Sequence, residues 1–197
     1  MNKHLILWSI TVSLGGFLFG MDVAVISGAE QAIQKLWELD TLHIGLAVAI
    51  ALYGTVLGAA FGGWPSDKFG RRRSLQWISS LFLISAIGAA LASDVISFMV
   101  FRFIGGLSIG ASSVVAPIYI SEIAPPKYRG RLVISFQVNI VLGILLAYFS
   151  NYLLSGLPDD WRWMLGIVAV PSLAFFCTPV LYSRDSTLAY SSPGKYK

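Results

Sequence analysis

The chain predicts an all-α integral membrane protein, and three observations carry that prediction. Hydrophobic residues make up 56% of it and charged residues only 12%, with a mean hydropathy of +0.72, whereas a soluble domain is roughly 25% charged. The apolar residues gather into six stretches, approximately 5–29, 42–64, 74–93, 95–120, 132–154 and 163–183, each long enough to cross a hydrocarbon core of about 30 Å as a helix of around 20 residues. These stretches are continuously apolar rather than alternating, so membrane barrel strands do not fit them.

Each stretch reads as a span for its own reasons. The first follows Lys3 and is longer than the roughly 7 to 15 apolar residues of a signal core, and five more spans follow it, so it is expected as an uncleaved helix. It carries Gly16 and Gly20; the second span carries Gly54, Gly58 and Gly62; the fourth carries Gly106 and Gly110. Small residues at this four-residue spacing let helix backbones approach closely, and packing alone accounts for them. The second and third spans are joined by Gly63-Trp-Pro-Ser-Asp67-Lys68-Phe-Gly70-Arg71-Arg72-Arg73, a tight turn with one acid and four bases. The fifth and sixth complete a membrane domain over residues 1–183, and a polar tail occupies 184–197. No internal repeat, linker or low-complexity tract is visible.

Charge sets the orientation. With a cytoplasmic N-terminus, eleven bases fall inside (Lys3, Lys68, Arg71, Arg72, Arg73, Lys127, Arg129, Arg131, Arg184, Lys195 and Lys197) and only Lys35 and Arg162 outside. That is the positive-inside pattern, and it predicts that both termini are cytoplasmic. Glu30, Glu38, Asp40, Asp94, Asp159 and Asp160 fall outside. The net charge of +4 therefore reflects topology, and no nucleic-acid partner is expected. Cys177 is the single cysteine and the two histidines are scattered, which excludes a disulfide framework and a cysteine-based metal site. No metal cluster, nucleophile–base pair or phosphate loop stands out, so neither an enzyme nor a cofactor is expected.

Two ionisable residues lie within the spans. On this topology Asp22 is about six residues, and Arg102 about seven, from the outer ends of the first and fourth helices, which places both roughly 9 to 11 Å below the outer surface at 1.5 Å per residue. A charge at mid-bilayer costs roughly 2.5 to 3.5 kcal/mol, so it faces a partner or a water-filled cavity. Equal depth and opposite sign predict a pair. It could be a structural clamp, but the reading adopted is a protonation switch, because a carboxylate that loses its cationic partner in a low-dielectric cavity is driven to take up a proton.

The loop Gly63-x-x-x-Asp67-Lys68-x-Gly70-Arg71-Arg72 resembles the loop two-three signature of the major facilitator superfamily, and further segments resemble its sugar porter family. Those are Gly20-Met-Asp22-Val-Ala-Val-Ile-Ser-Gly28, Arg102-Phe-Ile-Gly-Gly-Leu-Ser-Ile-Gly110, the run from Pro117 through Glu122 to Arg129-Gly130, and Trp161-Arg162-Trp163. The likeness runs from about residue 8 to residue 180. It implies the N-terminal six-helix half of a major facilitator bundle, built as two three-helix inverted repeats, multi-pass in the plasma (inner) membrane.

Roles follow from the resemblance, position by position. Asp22 matches the proton-binding acid of sugar/proton symporters and Arg102 its partner; facilitative relatives tend to carry Asn at the first position. Gln137 matches a sugar-contacting glutamine, Phe19 an aromatic contact, and Asn139 is a weaker candidate. An amide suits a sugar because it donates and accepts at once. Gly63, Asp67, Gly70, Arg71 and Arg72, with Glu122 and Arg129, resemble the cytoplasmic gate that latches the two halves during alternating access.

The departures shape the expectation as well. Sugar porters have twelve helices and a proline-glutamate-serine-proline-arginine motif after helix six, whereas this chain continues from Val180 without it, as a truncated or frameshifted gene product would. Some proton-coupled members carry a glutamate early in helix six, and Gly166-Ile-Val-Ala-Val-Pro171 has none. The expected function is that of the N-terminal half of a sugar/proton symporter, partnered by sugar, proton, bilayer and a complementary C-terminal half, with the isolated chain inactive. A facilitative uniporter and a non-transporting sensor or remnant are the alternatives.

Overall fold

The computed structural model describes residues 3–177, with side chains from residue 12 onward. Seven helices are bounded within it: α1 (Lys3–Leu36), α2 (Thr41–Phe61), α3 (Gly63–Phe69), α4 (Arg71–Ala90), α5 (Val95–Ile123), α6 (Arg129–Leu154) and α7 (Asp160–Gly166), and residues 169–177 are helical again. The tail at 184–197 and the end of the sixth predicted span, 178–183, lie outside the described residues. Within the described residues four helices are long and apolar enough to cross a membrane: α1 from Val12, α2, α5 and α6. The predicted third span is the helix α4, whose hydropathy is lowered by Arg71, Arg72, Arg73 and Gln76 at its start.

The helix ends differ from the predicted bounds for identifiable reasons. The first helix continues past residue 29 to Leu36 because Ala29 and Ile33 face the core and are fully buried, which keeps one face of the added turns packed. The second stops at Phe61 and is followed by the short α3, in a segment expected only to turn. Pro65 is tolerated there because the N–H groups of a helix's first turn have no intrahelical partner to lose. Gly70 then takes φ +89°, a conformation that glycine adopts without penalty, and redirects the chain into α4. The sixth predicted span is interrupted at residues 167–168. Pro171 has no N–H to give the Ile167 carbonyl and its ring crowds that carbonyl, so the chain tightens there, with Val168 N bonded to Leu165 O and Val170 N to Ile167 O.

Packing follows the glycines. The helix α2 lies along α5, and α1 along α6. A Cβ on Gly54 or Gly58 would run into the carbonyl oxygens of Phe103 and Leu107, and one on Gly106 or Gly110 into those of Ala51 and Thr55. In the second crossing Gly16 and Gly20 face the carbonyls of Phe136 and Ile140, while Gly143 faces that of Phe17. Both contacts therefore use one device, in which backbones approach with nothing between them and dispersion replaces the hydrophobic drive that lipid does not provide. Serines supply most of the buried polar side chains; Ser79, Ser108 and Ser172 are fully buried and donate their hydroxyls to carbonyls three or four residues earlier in the chain. At one end of the bundle Trp37 packs edge-on against Trp161 and tilted against Phe98, joining α1, α5 and α7.

Candidate functional site

The helix α1 brings Asp22 to the contact with α5, and α5 presents Arg102 to it. Arg102 Nη1 donates to both carboxylate oxygens of Asp22, each at 2.9 Å, and the two side chains are buried. The contact is built by small neighbours. Gly105, one turn along α5 from Arg102, leaves space between Ser85 Oγ and Asp22; a Cβ there would stand 2.5 Å from the hydroxyl and 3.9 Å from Asp22 Oδ1. Arg102 Nε is buried with no hydrogen-bond partner. One nitrogen thus carries the pairing, and the guanidinium is not used as a fork, a weaker arrangement than the bidentate one.

The structure distributes the other predicted residues around this pair. Phe19 is half-buried one turn before Asp22 and packs on the core. Gln137 on α6 is exposed. Asn139 is half-buried and its amide nitrogen is already engaged, donating to Ser13 Oγ at 3.2 Å and to the Ser135 carbonyl at 2.8 Å. An exposed amide next to a helix crossing is available to a ligand or to a facing protein surface; an amide spent on two protein acceptors is not.

At the far end of α2 and α5 a second cluster forms. Arg71 Nη1 donates to Asp67 Oδ1 at 2.7 Å and to Ser66 Oγ at 2.8 Å, and its Nε to Glu122 Oε1 at 3.2 Å. One guanidinium therefore ties α3, α4 and the end of α5 together. Arg72 is half-buried beside it, and Arg129, the first residue of α6, is exposed. Gly70 makes the turn that brings Arg71 back toward Asp67, while the space around Gly63 is open.

Two interactions go beyond what the sequence leads one to expect. Arg162 reads in the sequence only as an outside base, yet its Nη1 and Nη2 donate to the carbonyls of Ala90 and Ala92 at 3.2 and 3.1 Å, closing the end of α4, and its guanidinium lies over the Trp161 ring at 4.6 Å. Asn151 on α6 donates from Nδ2 to the Val25 carbonyl at 3.1 Å, and its Oδ1 is buried without a partner. An amide inside an apolar run is itself a signal of an interhelical bond. The partner of Arg162, in contrast, is a helix end some 70 residues away, which no local pattern reports.

Outside the spans, Asp40 and Asp94 cap α2 and α5. The His43 backbone N–H, and then the His43 ring, hold the Asp40 carboxyl below its ordinary range; the Ser97 backbone N–H does the same for Asp94.

The family model for sugar (and other) transporters matches residues 8–186. The chain is 43% identical over 164 residues to a D-xylose transporter of Levilactobacillus brevis, covering 83% of this chain and 36% of that protein. It is 42% identical over 178 residues to an arabinose-proton symporter of Bacillus subtilis, covering 87% and 38%. Among solved structures, the partially occluded inward-open xylose transporter XylE of E. coli superposes with a TM-score of 0.85 at 33% identity, covering 91% of this chain and 50% of that one. A D-xylose-proton symporter superposes with a TM-score of 0.83 at 30% identity, covering 97% and 53%. The chain thus spans well under half the length of these two curated relatives, and the matching part of XylE is its N-terminal half.

Proposed function

Because the chain belongs to the family of sugar and other transporters, whose members are multi-pass membrane proteins and not enzymes, we propose that it forms the N-terminal half of a sugar/proton symporter working by alternating access. The observation that carries the proton assignment is the buried Asp22–Arg102 pair at 2.9 Å. Asp22 takes up the proton when Arg102 moves away, since an unpaired carboxylate in low dielectric is costly. Gln137 and Phe19 contact the sugar, with Asn139 holding α6 against α1. The substrate is a monosaccharide, by analogy with the D-xylose transporter and the arabinose-proton symporter to which the chain is similar.

In this reading residues 1–183 form one six-span domain with both termini cytoplasmic, in the plasma membrane. The spans are α1, α2, α4, α5, α6, and α7 together with the helical residues that follow it. The first three and last three constitute the inverted repeats. That assignment is supported by the two glycine crossings, because exchanging the repeats turns the α1–α6 contact into the α5–α2 contact. Asp67, Arg71 and Glu122, joined by Arg72, Arg129 and the glycines Gly63 and Gly70, form one side of the cytoplasmic gate. The exposed Gln137 faces a complementary C-terminal half, and alone the chain carries out little or no transport.

The test is uptake in proteoliposomes holding this chain together with the C-terminal half of the similar D-xylose transporter. Xylose accumulation driven by an inward proton gradient is expected, and Asp22→Asn should abolish accumulation while leaving exchange. A uniporter is the second reading, favoured by the lack of an acid between Gly166 and Pro171; uptake indifferent to the gradient would establish it. No xylose flux from the assembled halves would refute both readings.

A further inference from the structure

Two grooves meet on the flank of α6. One, of about 510 Å³, runs between α1, α6 and residues 169–177, with Leu146, Leu153 and Val170 in its walls. The other, of about 590 Å³, lies where α4 ends and α7 begins, and is bounded by Leu91, Asp159, Arg162 and Trp163. Leu154, Ile167 and Val170 line both. Together they make one trough with a charged mouth and an uncharged tail.

Its direction says what covers it. Leu146 follows Gln137 by nine residues, about two and a half helical turns at 3.6 residues per turn, so trough and amide lie on opposite sides of α6. The complementary half that meets Gln137 in the reading above therefore does not reach the trough, which faces the bilayer. An apolar cavity does not hold water, and the available neighbour is lipid.

The mouth matches a headgroup. Asp159 and Arg162 place opposite charges three residues apart at its rim. Arg162 donates one hydrogen from each of Nη1 and Nη2 to the carbonyls of Ala90 and Ala92 at and just past the end of α4, and a guanidinium has five N–H donors, so hydrogens remain for a phosphate. Trp163, 61% exposed at the same rim, is the residue type that gathers at headgroup depth.

We propose that this trough is a specific site for one zwitterionic phospholipid with a primary-amine headgroup. Its phosphate sits at Arg162, its ammonium at Asp159, and one acyl chain runs past Leu154 and Val170 toward Leu146. The inference rests on the orientation of α6 taken in the transport reading.

The experiment is native mass spectrometry of the 197-residue chain in detergent, equilibrated with phosphatidylethanolamine, phosphatidylglycerol or phosphatidylcholine of matched acyl chains. One phosphatidylethanolamine per chain should be retained in preference to the other two lipids. Val170→Trp and Leu146→Trp, which put bulk into the trough at exposed positions, should each lower retention at least tenfold with helix content by circular dichroism unchanged. Asp159→Asn should remove the preference for the amine. Equal retention by both tryptophan variants, or no preference in the unsubstituted chain, overturns the site. The readout needs no sugar flux: retained lipid without proton-driven uptake would sink the transport reading alone, and uptake without retained lipid would sink this one alone.

Discussion

Arg102 Nη1 stands 2.9 Å from each carboxylate oxygen of Asp22, and this contact joins α5 to α1 inside the bundle. Removing one partner leaves the other charge buried and unpaired, which costs about 3–5 kcal/mol, whereas replacing both by neutral groups is far milder. Arg102→Leu should therefore destabilise the chain by several kcal/mol in detergent unfolding, and Asp22→Asn combined with Arg102→Leu should recover most of the loss. A double variant as unstable as the sum of the singles would show that the two residues are not coupled.

The glycine crossings predict opposite outcomes for one chemical change. At Gly110 a Cβ would meet the Thr55 carbonyl and the Ala59 nitrogen, both backbone atoms that cannot turn aside. Gly110→Ala should therefore destabilise by about 1–3 kcal/mol, the range for overpacking. At Gly45, within α2, a Cβ would point into open space with nothing within 4 Å, and alanine there relieves a helix-interior glycine cost of roughly 0.5–1 kcal/mol. Unfolding midpoints of the two variants should move in opposite directions.

How much of this is legible in the sequence depends on whether the cause is local. Apolar runs and the positive-inside bias are local, and among the described residues the structure returns helix in each of the six stretches. Asp22 and Arg102 are legible as a pair because a charge in an apolar run demands a partner and the predicted topology puts both at one depth. Gln137 and Phe19 can be singled out only by resemblance, since nothing in an isolated amide or ring separates ligand contact from packing. The short α3 escapes notice because seven residues carry no readable periodicity. The break before residue 169 has a signal in Pro171, but the apolar run through it hides the consequence. The bond from Arg162 to the end of α4 depends on the tertiary fold and leaves no trace in spacing.

The caps predict an acid limb. The Asp40 and Asp94 carboxyls are held below their ordinary range by the N–H groups of His43 and Ser97. A group whose folded value is depressed contributes stability above its unfolded value, about 3.9 for Asp, and loses it as pH falls through the folded value. Asn keeps a capping acceptor without titrating. Asp40→Asn and Asp94→Asn together should flatten the loss of helix stability below about pH 4 while leaving neutral-pH stability nearly unchanged; an unaltered acid limb would contradict the assignment.

The Arg71 cluster should matter to conformation more than to stability. Its carboxylate partners Asp67 and Glu122 are 69% and 47% exposed, and ion pairs to such groups contribute about 0–1 kcal/mol. Glu122→Gln should shift the unfolding midpoint of the chain very little. In the assembled transporter of the proposed function the same variant should raise the reactivity of a reporter cysteine on the side of the Arg71 cluster toward an impermeant maleimide, because that proposal has the Arg71–Glu122 contact hold the gate closed. Unchanged labelling would remove Glu122 from the gate.

Arg162 makes the sharpest distinction between charge and shape. Its two terminal nitrogens close the carbonyls of Ala90 and Ala92 while its plane lies on Trp161, so both the fork and the flat face are used. Lysine preserves the charge but offers neither geometry, and hydrogen bonds from a charged donor contribute about 1.5–3 kcal/mol when partly buried. Arg162→Lys and Arg162→Ala should thus destabilise to a similar extent, with faster amide exchange at the last turn of α4 in both. Rescue by lysine would show that position 162 needs only a positive charge, as its reading from sequence as an outside base suggests.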